Sequence, residues 1–216
     1  MKKKVFTMKI VLFTMILSVN SCTPQYSVDY AASLKDCLTS NDVELLNKAC
    51  QTFEMKLLNK YKGQELGNAY KKYLQDIQAM NILPSYFVSS DSKKILQEFK
   101  NSKLFDKVWT KVSSLEDYQD IEIVTTDSLE TDPEQENDSY CMNPNGEYLN
   151  CLIKQNQNKT ILDYLEAIKA TPDISPGLTA GIVHKNLTEE DFNDGLTRLI
   201  IAVGFYYEIG IIFEKE

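Results

Sequence analysis

Near the end of the chain, Leu196, Leu199, Ile200, Val203, Phe205, Tyr206, Ile209, Ile211, Ile212 and Phe213 recur so densely that no polar face is left. A helix with one apolar stripe can lie on a surface, whereas one apolar nearly all round must be enclosed. This segment therefore dictates a fold in which other helices close over it. Thr188, with Asp191 three residues later, supplies its start signal. As a membrane span the segment reads as too short, and Glu208 interrupts it.

The rest of the chain offers suitable partners. Val28 to Leu38 reads as a first short helix. Asn41 and Glu44 have the spacing of a capping box, and behind them Val43, Leu46, Cys50, Phe53 and Leu57 recur at helical spacing. Gly63 ends that helix. Leu66, Tyr70, Tyr73 or Leu74, and Ile77 make a second stripe that stops before Pro84. Asp91 can cap a helix carrying Ile95, Leu96 and Phe99, and Leu104, Phe105, Val108 and Trp109 continue the packing. Helix resumes at 147–156 and from Ile161 to Ala170. Ser175-Pro176 then opens another, with Pro at the first helical position. The expected fold is all-α: one domain over residues 28–216, a bundle or array of about seven to nine helices.

One stretch departs from this pattern. Between Val112 and Ile153 there is no Lys or Arg, while Glu116, Asp117, Asp120, Glu122, Asp127, Glu130, Asp132, Glu134, Glu136, Asp138 and Glu147 accumulate. Such a run repels itself and has little to bury, so residues 112–146 read as an acidic surface loop. Ile121 to Val124 is a candidate short strand. The alternating acids, central Gly and final Glu of an EF-hand are missing, and no metal or other cofactor is expected. Asp127-Ser128-Leu129 resembles the Asp-Ser/Thr-aliphatic acceptor of bacterial O-glycosylation, which would make Ser128 a modification site. Asn137, Asn158 and Asn186 begin Asn-x-Ser/Thr triplets, a signal that means little in most bacteria.

The chain opens with Lys2, Lys3, Lys4 and Lys9, has no acid before Asp29, and carries an apolar run from Ile10 to Leu17. A positive start, a short apolar stretch and small residues after it make a secretory signal. The run is about half of the roughly 20 residues that a span needs. Met8-Lys9 with the same run suffices alone, so a start at Met8 gives the same mature chain. Val19-Asn20-Ser21-Cys22 resembles the lipobox of bacterial lipoproteins, with Asn20 departing slightly from the commonest pattern. The resemblance implies a signal peptide at 1–21, cleavage before Cys22, acylation of that cysteine and a lipidated tether at 22–27. Two or three acyl chains hold a protein firmly where one does so marginally. Thr23 stands where an Asp would retain such a protein at the inner membrane. In a two-membrane envelope the expectation is therefore the outer membrane, with the face left open.

The four signal lysines are part of 23 basic residues and the signal holds none of the 31 acids, so the mature chain keeps 19 basic and 31 acidic groups, a net charge of −12. Nucleic acid, which needs a basic face, is excluded as a partner. A basic protein would be welcome. Four cysteines remain in this exported chain: Cys37, Cys50, Cys141 and Cys151. Cys141 and Cys151 flank the Pro144-Asn145-Gly146 turn and are the expected disulfide. Cys37 with Cys50 is the second candidate pair, although nine helical residues place them roughly 13 Å apart. A buried free thiol at Cys50 competes with that pairing, and other connectivities stay open. With no Cys-x-x-Cys and a single histidine, zinc is disfavoured.

Catalytic signals are sparse. His184 reads as a surface group near a helix C-terminus. Asp163 and Glu166 share a helix face at the spacing of two carboxylates that could work on a glycosidic bond, or simply of a solvated face. Glu208 falls among apolar neighbours, where burial would raise its pKa, unless it pairs with Arg198, Lys185 or a tyrosine hydroxyl. The leading expectation is a membrane-anchored, non-enzymatic binding domain of the cell envelope. The alternatives are an immunity or inhibitor lipoprotein against a basic toxin, and an envelope or glycan hydrolase using Glu208 or the Asp163/Glu166 pair.

Overall fold

The computed structural model describes residues 28–115 and 139–214. Cys22, Ser128, the signal, the tether and the candidate strand at Ile121 to Val124 lie outside the described residues. So does most of the acidic stretch.

The fold is mostly α and forms one domain, with nine helices among the described residues. They are α1 (Ser40–Lys60), α2 (Leu66–Gln78), α3 (Pro84–Phe87), α4 (Ser90–Lys100), α5 (Leu104–Val108), α6 (Glu147–Gln155), α7 (Lys159–Ala170), α8 (Pro176–Asn186) and α9 (Gly195–Glu214). Each buries the stripe that its sequence spells. On α1 the inner face is Val43, Leu46, Cys50, Phe53 and Leu57; on α2 it is Tyr70, Tyr73, Leu74 and Ile77. Leu83-Pro84 starts α3 with Pro at the first helical position, and Ser175-Pro176 starts α8 in the same way.

Several boundaries differ from the local patterns. The capping box of α1 is Thr39 with Asp42: the Asp42 N–H donates to Thr39 Oγ1 at 3.2 Å and the Thr39 N–H to Asp42 Oδ2 at 3.1 Å. Asn41 and Glu44 share the same spacing but lie inside the helix. Ser89, not Asp91, caps α4. Asp191 accepts from the Thr188 N–H as expected, yet closes only a short 3-10 turn, and Asp194 is the cap of α9. The expected first helix is a single 3-10 turn at Ala32–Leu34.

The acidic stretch is bounded more tightly than expected. Strand β1 (Trp109–Lys111) pairs antiparallel with β2 (Tyr140–Met142), Thr110 opposite Cys141. A 3-10 turn at Val112–Ser114 follows β1. The two ends of the stretch thus enter and leave side by side, and the expected loop at 112–146 is too broad at both margins.

Helix α9 sits at the centre, touching α1, α3, α4, α8 and β2. By length and composition it could cross a membrane, contrary to the shorter reading from sequence. Its apolar surface is instead buried inside the domain. Its middle, Ala202–Tyr207, is a π-helical stretch, every residue of which is buried. Gly204 lies there because a Cβ would meet Tyr164 Oη at 2.8 Å. The chain also tolerates a strained turn at the end of α2. There Met80 takes φ 54° in a Schellman arrangement, with Asn81 N–H donating to Asp76 O and Met80 N–H to Ile77 O.

The disulfide joins Cys37 to Cys151, across a sequence separation of 114 residues. This corrects both expected pairings. Cys141 is held in β2 while Cys151 lies in the second turn of α6, so neighbours in sequence are parted by the strand-to-helix turn. Cys50 is a buried free thiol, and Cys141 is free as well. In the chain-entropy account, a closed loop of this size contributes about 4–5 kcal/mol. The Cys37→Ser/Cys151→Ser double variant should lose stability on that scale in denaturant titration. Cys141→Ser, which breaks no cross-link, should lose only about 1–2 kcal/mol. A Cys141→Ser variant that cannot form the cross-link would instead restore the shorter pairing.

Candidate functional site

Glu208 follows the π-helical stretch directly, and only 7% of it is exposed. Among the described residues Oε2 has no hydrogen-bond partner. Arg198 is not available to it, because that guanidinium pairs elsewhere. Burial pushes the carboxyl up to about 8, and the Trp109 indole beside it offsets this only in part. Cys141 and Tyr164 lie within its electrostatic reach. It is an enclosed acid in a packed surround, which weakens its candidacy as a catalyst.

Asp163 is exposed and forms an i, i+4 ion pair with Lys159 at 2.7 Å. It borders a small cavity of about 230 Å³ between α7 and α8, whose lining does not include Glu166. Both carboxylates lie on the exposed side of α7, so nothing draws them together over one bond. His184 is half-buried on α8, its Nδ1 has no partner, and burial and the Lys71 charge lower its pKa. It is therefore not the dipole-stabilised surface cation expected. Among the described residues no group of three His, Cys, Asp or Glu is placed to hold a metal ion.

The buried charge of α1 is satisfied. Glu54 Oε1 accepts from Arg198 Nη1 at 3.0 Å and from Tyr70 Oη at 2.9 Å, and Oε2 accepts from Tyr30 Oη at 2.6 Å. The Arg198 guanidinium also lies 5.0 Å from the Tyr30 ring centre. This cluster ties α9 to α1, α2 and the N-terminal turn, a structural duty.

A different arrangement opens to solvent. A cleft of about 630 Å³ lies between α1, the 81–83 connection, α3 and the start of α4. Lys56, Lys60, Leu83, Tyr86, Ser89 and Asp91 are among its walls. Lys56 stands next to Leu57 on the border of the buried stripe of α1. Its Nζ therefore leans under Tyr86, 4.9 Å from the ring centre. There it donates to Tyr86 O at 2.7 Å, Ser89 Oγ at 2.5 Å and Ser92 Oγ at 3.3 Å. All three of its donors are thus spent on neutral oxygens. Burial lowers its pKa, and the charge of Asp91 opposes this more weakly.

The hydroxyl protons can be assigned. Tyr86 O can only accept, so Tyr206 Oη, at 3.1 Å, gives its proton there. The short contact between Ser92 Oγ and Tyr206 Oη is then donated by Ser92. It follows that Ser89 Oγ donates to Ser92 Oγ at 2.7 Å. One directed chain runs Ser89 to Ser92 to Tyr206 to Tyr86 O, with Lys56 donating into its first two members. Ser92 and Tyr206 are fully buried, whereas Ser89 is half-buried and borders the cleft.

The candidate residues read from the sequence do not include this group. A lysine beside a buried stripe and serines before a helix are ordinary local features. No protein-family model, curated protein or solved structure matches the chain.

Two consequences can be measured. Replacing Arg198 with Leu leaves Glu54 buried without its cation, and should cost about 3–5 kcal/mol by denaturant titration. For Glu208, the folded chain holds the proton up to about pH 8, whereas the unfolded chain releases it near 4.5. Between those values the folded state binds more protons, so this residue makes stability fall as pH rises. Glu208→Gln should therefore be more stable than the parent by roughly 3 kcal/mol at pH 7. The difference should close as pH falls towards about 4.5; unfolding curves across that range test it.

Proposed function

We propose that the chain is a lipid-anchored protein of the cell envelope, whose helical domain binds an envelope component through the cleft beside Lys56. The observation that carries this reading is the Cys37–Cys151 disulfide. A cross-link closing so long a loop suits an oxidising compartment, and it is independent of the signal-like start. The lipobox-like Val19-Asn20-Ser21-Cys22 supplies the route and the anchor. Hydrolysis by Glu208 or by Asp163 with Glu166 gains no support, because the first is enclosed and the other two do not meet over a common cavity.

The test is the intact mass and fractionation of the protein made in its own host, beside a Cys22→Ala variant. The expected product begins at residue 22, carries acyl mass, and is found in membranes; the variant should lose both the lipid and the membrane association. A soluble, unacylated product from the parent chain would overturn the proposal.

A further inference from the structure

We infer that the cleft is an acyl-transfer site in which the Ser89 hydroxyl is the nucleophile and the Lys56 amine is its base. The inference uses the cleft of the proposed function but not the anchor, so either can fail alone. Lys56 Nζ lies 2.5 Å from Ser89 Oγ, and Ser89 is a half-buried wall residue of the cleft while Ser92 behind it is fully buried. A seryl hydroxyl needs an adjacent base to act as a nucleophile, and a partly desolvated amine is one recognised activator. Among the described residues nothing charged neutralises Lys56 at hydrogen-bond range. Burial favours its neutral amine, the form that can take a proton.

The reacting group is the carbonyl of an ester or amide, whose acyl part would rest on Ile82 and the largely exposed Leu83 at the rim. The step starts once Lys56 has given up one proton to solvent and the Ser89 hydroxyl has turned from Ser92 to donate to the freed Nζ lone pair. Ser89 Oγ then bonds to the carbonyl carbon as its proton passes to Lys56 Nζ, and the carbonyl π pair moves onto oxygen. Ser89 caps α4, so the N–H groups of Ser90 and Asp91 have no acceptor within the helix and are the donors at hand for that oxyanion. Collapse expels the leaving group, which takes the proton from Lys56 and leaves an acyl ester on Ser89. Water then adds to that ester and gives a proton to Lys56, which returns it to Ser89 Oγ as the acid departs. The balance is ester or amide plus water to acid plus alcohol or amine, with no oxidant, metal or cofactor required.

The probe is an alkyl fluorophosphonate, which loses fluoride on attack by an activated serine. It is applied to the purified full-length protein, with adducts read by intact mass and peptide mapping. The expected result is a single adduct on Ser89, formed faster as pH rises from 6 to 9. Ser89→Ala should give none. Lys56→Arg keeps a cation and its hydrogen bonds but cannot deprotonate, and should slow labelling at least about 100-fold. Its unfolding temperature, measured alongside, should stay close to that of the parent. No adduct on the folded parent chain, an adduct elsewhere, or undiminished labelling of Lys56→Arg would each overturn the inference.

Discussion

The structure depends on enclosing one helix completely. Because α9 is apolar on every side, it must be met from every side, and α1, α3, α4, α8 and β2 do so. Enclosure also presses the polar groups on α9 to find partners inside the protein, since water is out of reach; among the described residues Glu208 Oε2 and Arg198 Nε find none. Successive helical residues point about 100° apart, so Tyr206, Tyr207 and Glu208 face three different neighbours. Tyr206 reaches Tyr86 O and Ser92, Tyr207 Oη donates to Ala49 O at 3.0 Å, and Glu208 turns towards Trp109. The π-helical stretch at Ala202–Tyr207 supports this spread by altering the turn where the aromatic residues crowd. The ring of Phe53 on α1 answers it, within 4.9 Å of both Tyr73 and Tyr206.

The periphery is fastened differently. The segment before α1 has little regular structure, only the turn at Ala32–Leu34. It is held by Tyr30 on Glu54, by the Ala31 N–H donating to Asn47 Oδ1 at 2.9 Å, and by the disulfide from Cys37 to α6. These reach into α1 and α6, elements far apart in sequence. The entry to the domain is thus fixed by tertiary bonds rather than by helix propensity, which explains why its sequence reads as a helix that the fold does not use.

What could be read from the sequence follows the same division. The stripes of α1, α2, α4, α7 and α9 were legible, because helical periodicity is local and the burial it implies is what forms. Thr39/Asp42 and Asn41/Glu44 share one spacing, so the pattern could place the start of α1 only to within two residues. Strands of three residues carry too little alternation to be recognised, so β1 and β2 escaped notice. Cys141 and Cys151 were near in sequence, but only the fold shows that α6 turns Cys151 towards Cys37. Of the candidate catalytic residues, burial of Glu208 was legible from its apolar neighbours. The cleft was not, because Lys56, Tyr86, Ser89 and Tyr206 arrive from four elements and no short pattern joins them.

The protein buries charge in three ways, and the contrast separates structure from chemistry. Glu54 and Arg198 neutralise one another, with two tyrosine hydroxyls donating to the Glu54 carboxylate as well. Losing either partner is costly, but the pair itself is inert. Glu208 has no counter-ion and keeps its proton instead, so it is an acid that nothing reaches. Lys56 follows neither course. Among the described residues it meets no counter-ion at hydrogen-bond range; it is only half-buried, and two of its neighbours are hydroxyls that can give as well as accept a proton. Lys56 also pins α3 through the Tyr86 carbonyl and α4 through Ser89 and Ser92. The serine chain behind it, besides capping α4, places exchangeable protons next to that amine. Of the three sites, this alone joins a lysine whose pKa is lowered by burial to a serine that lines an open cleft.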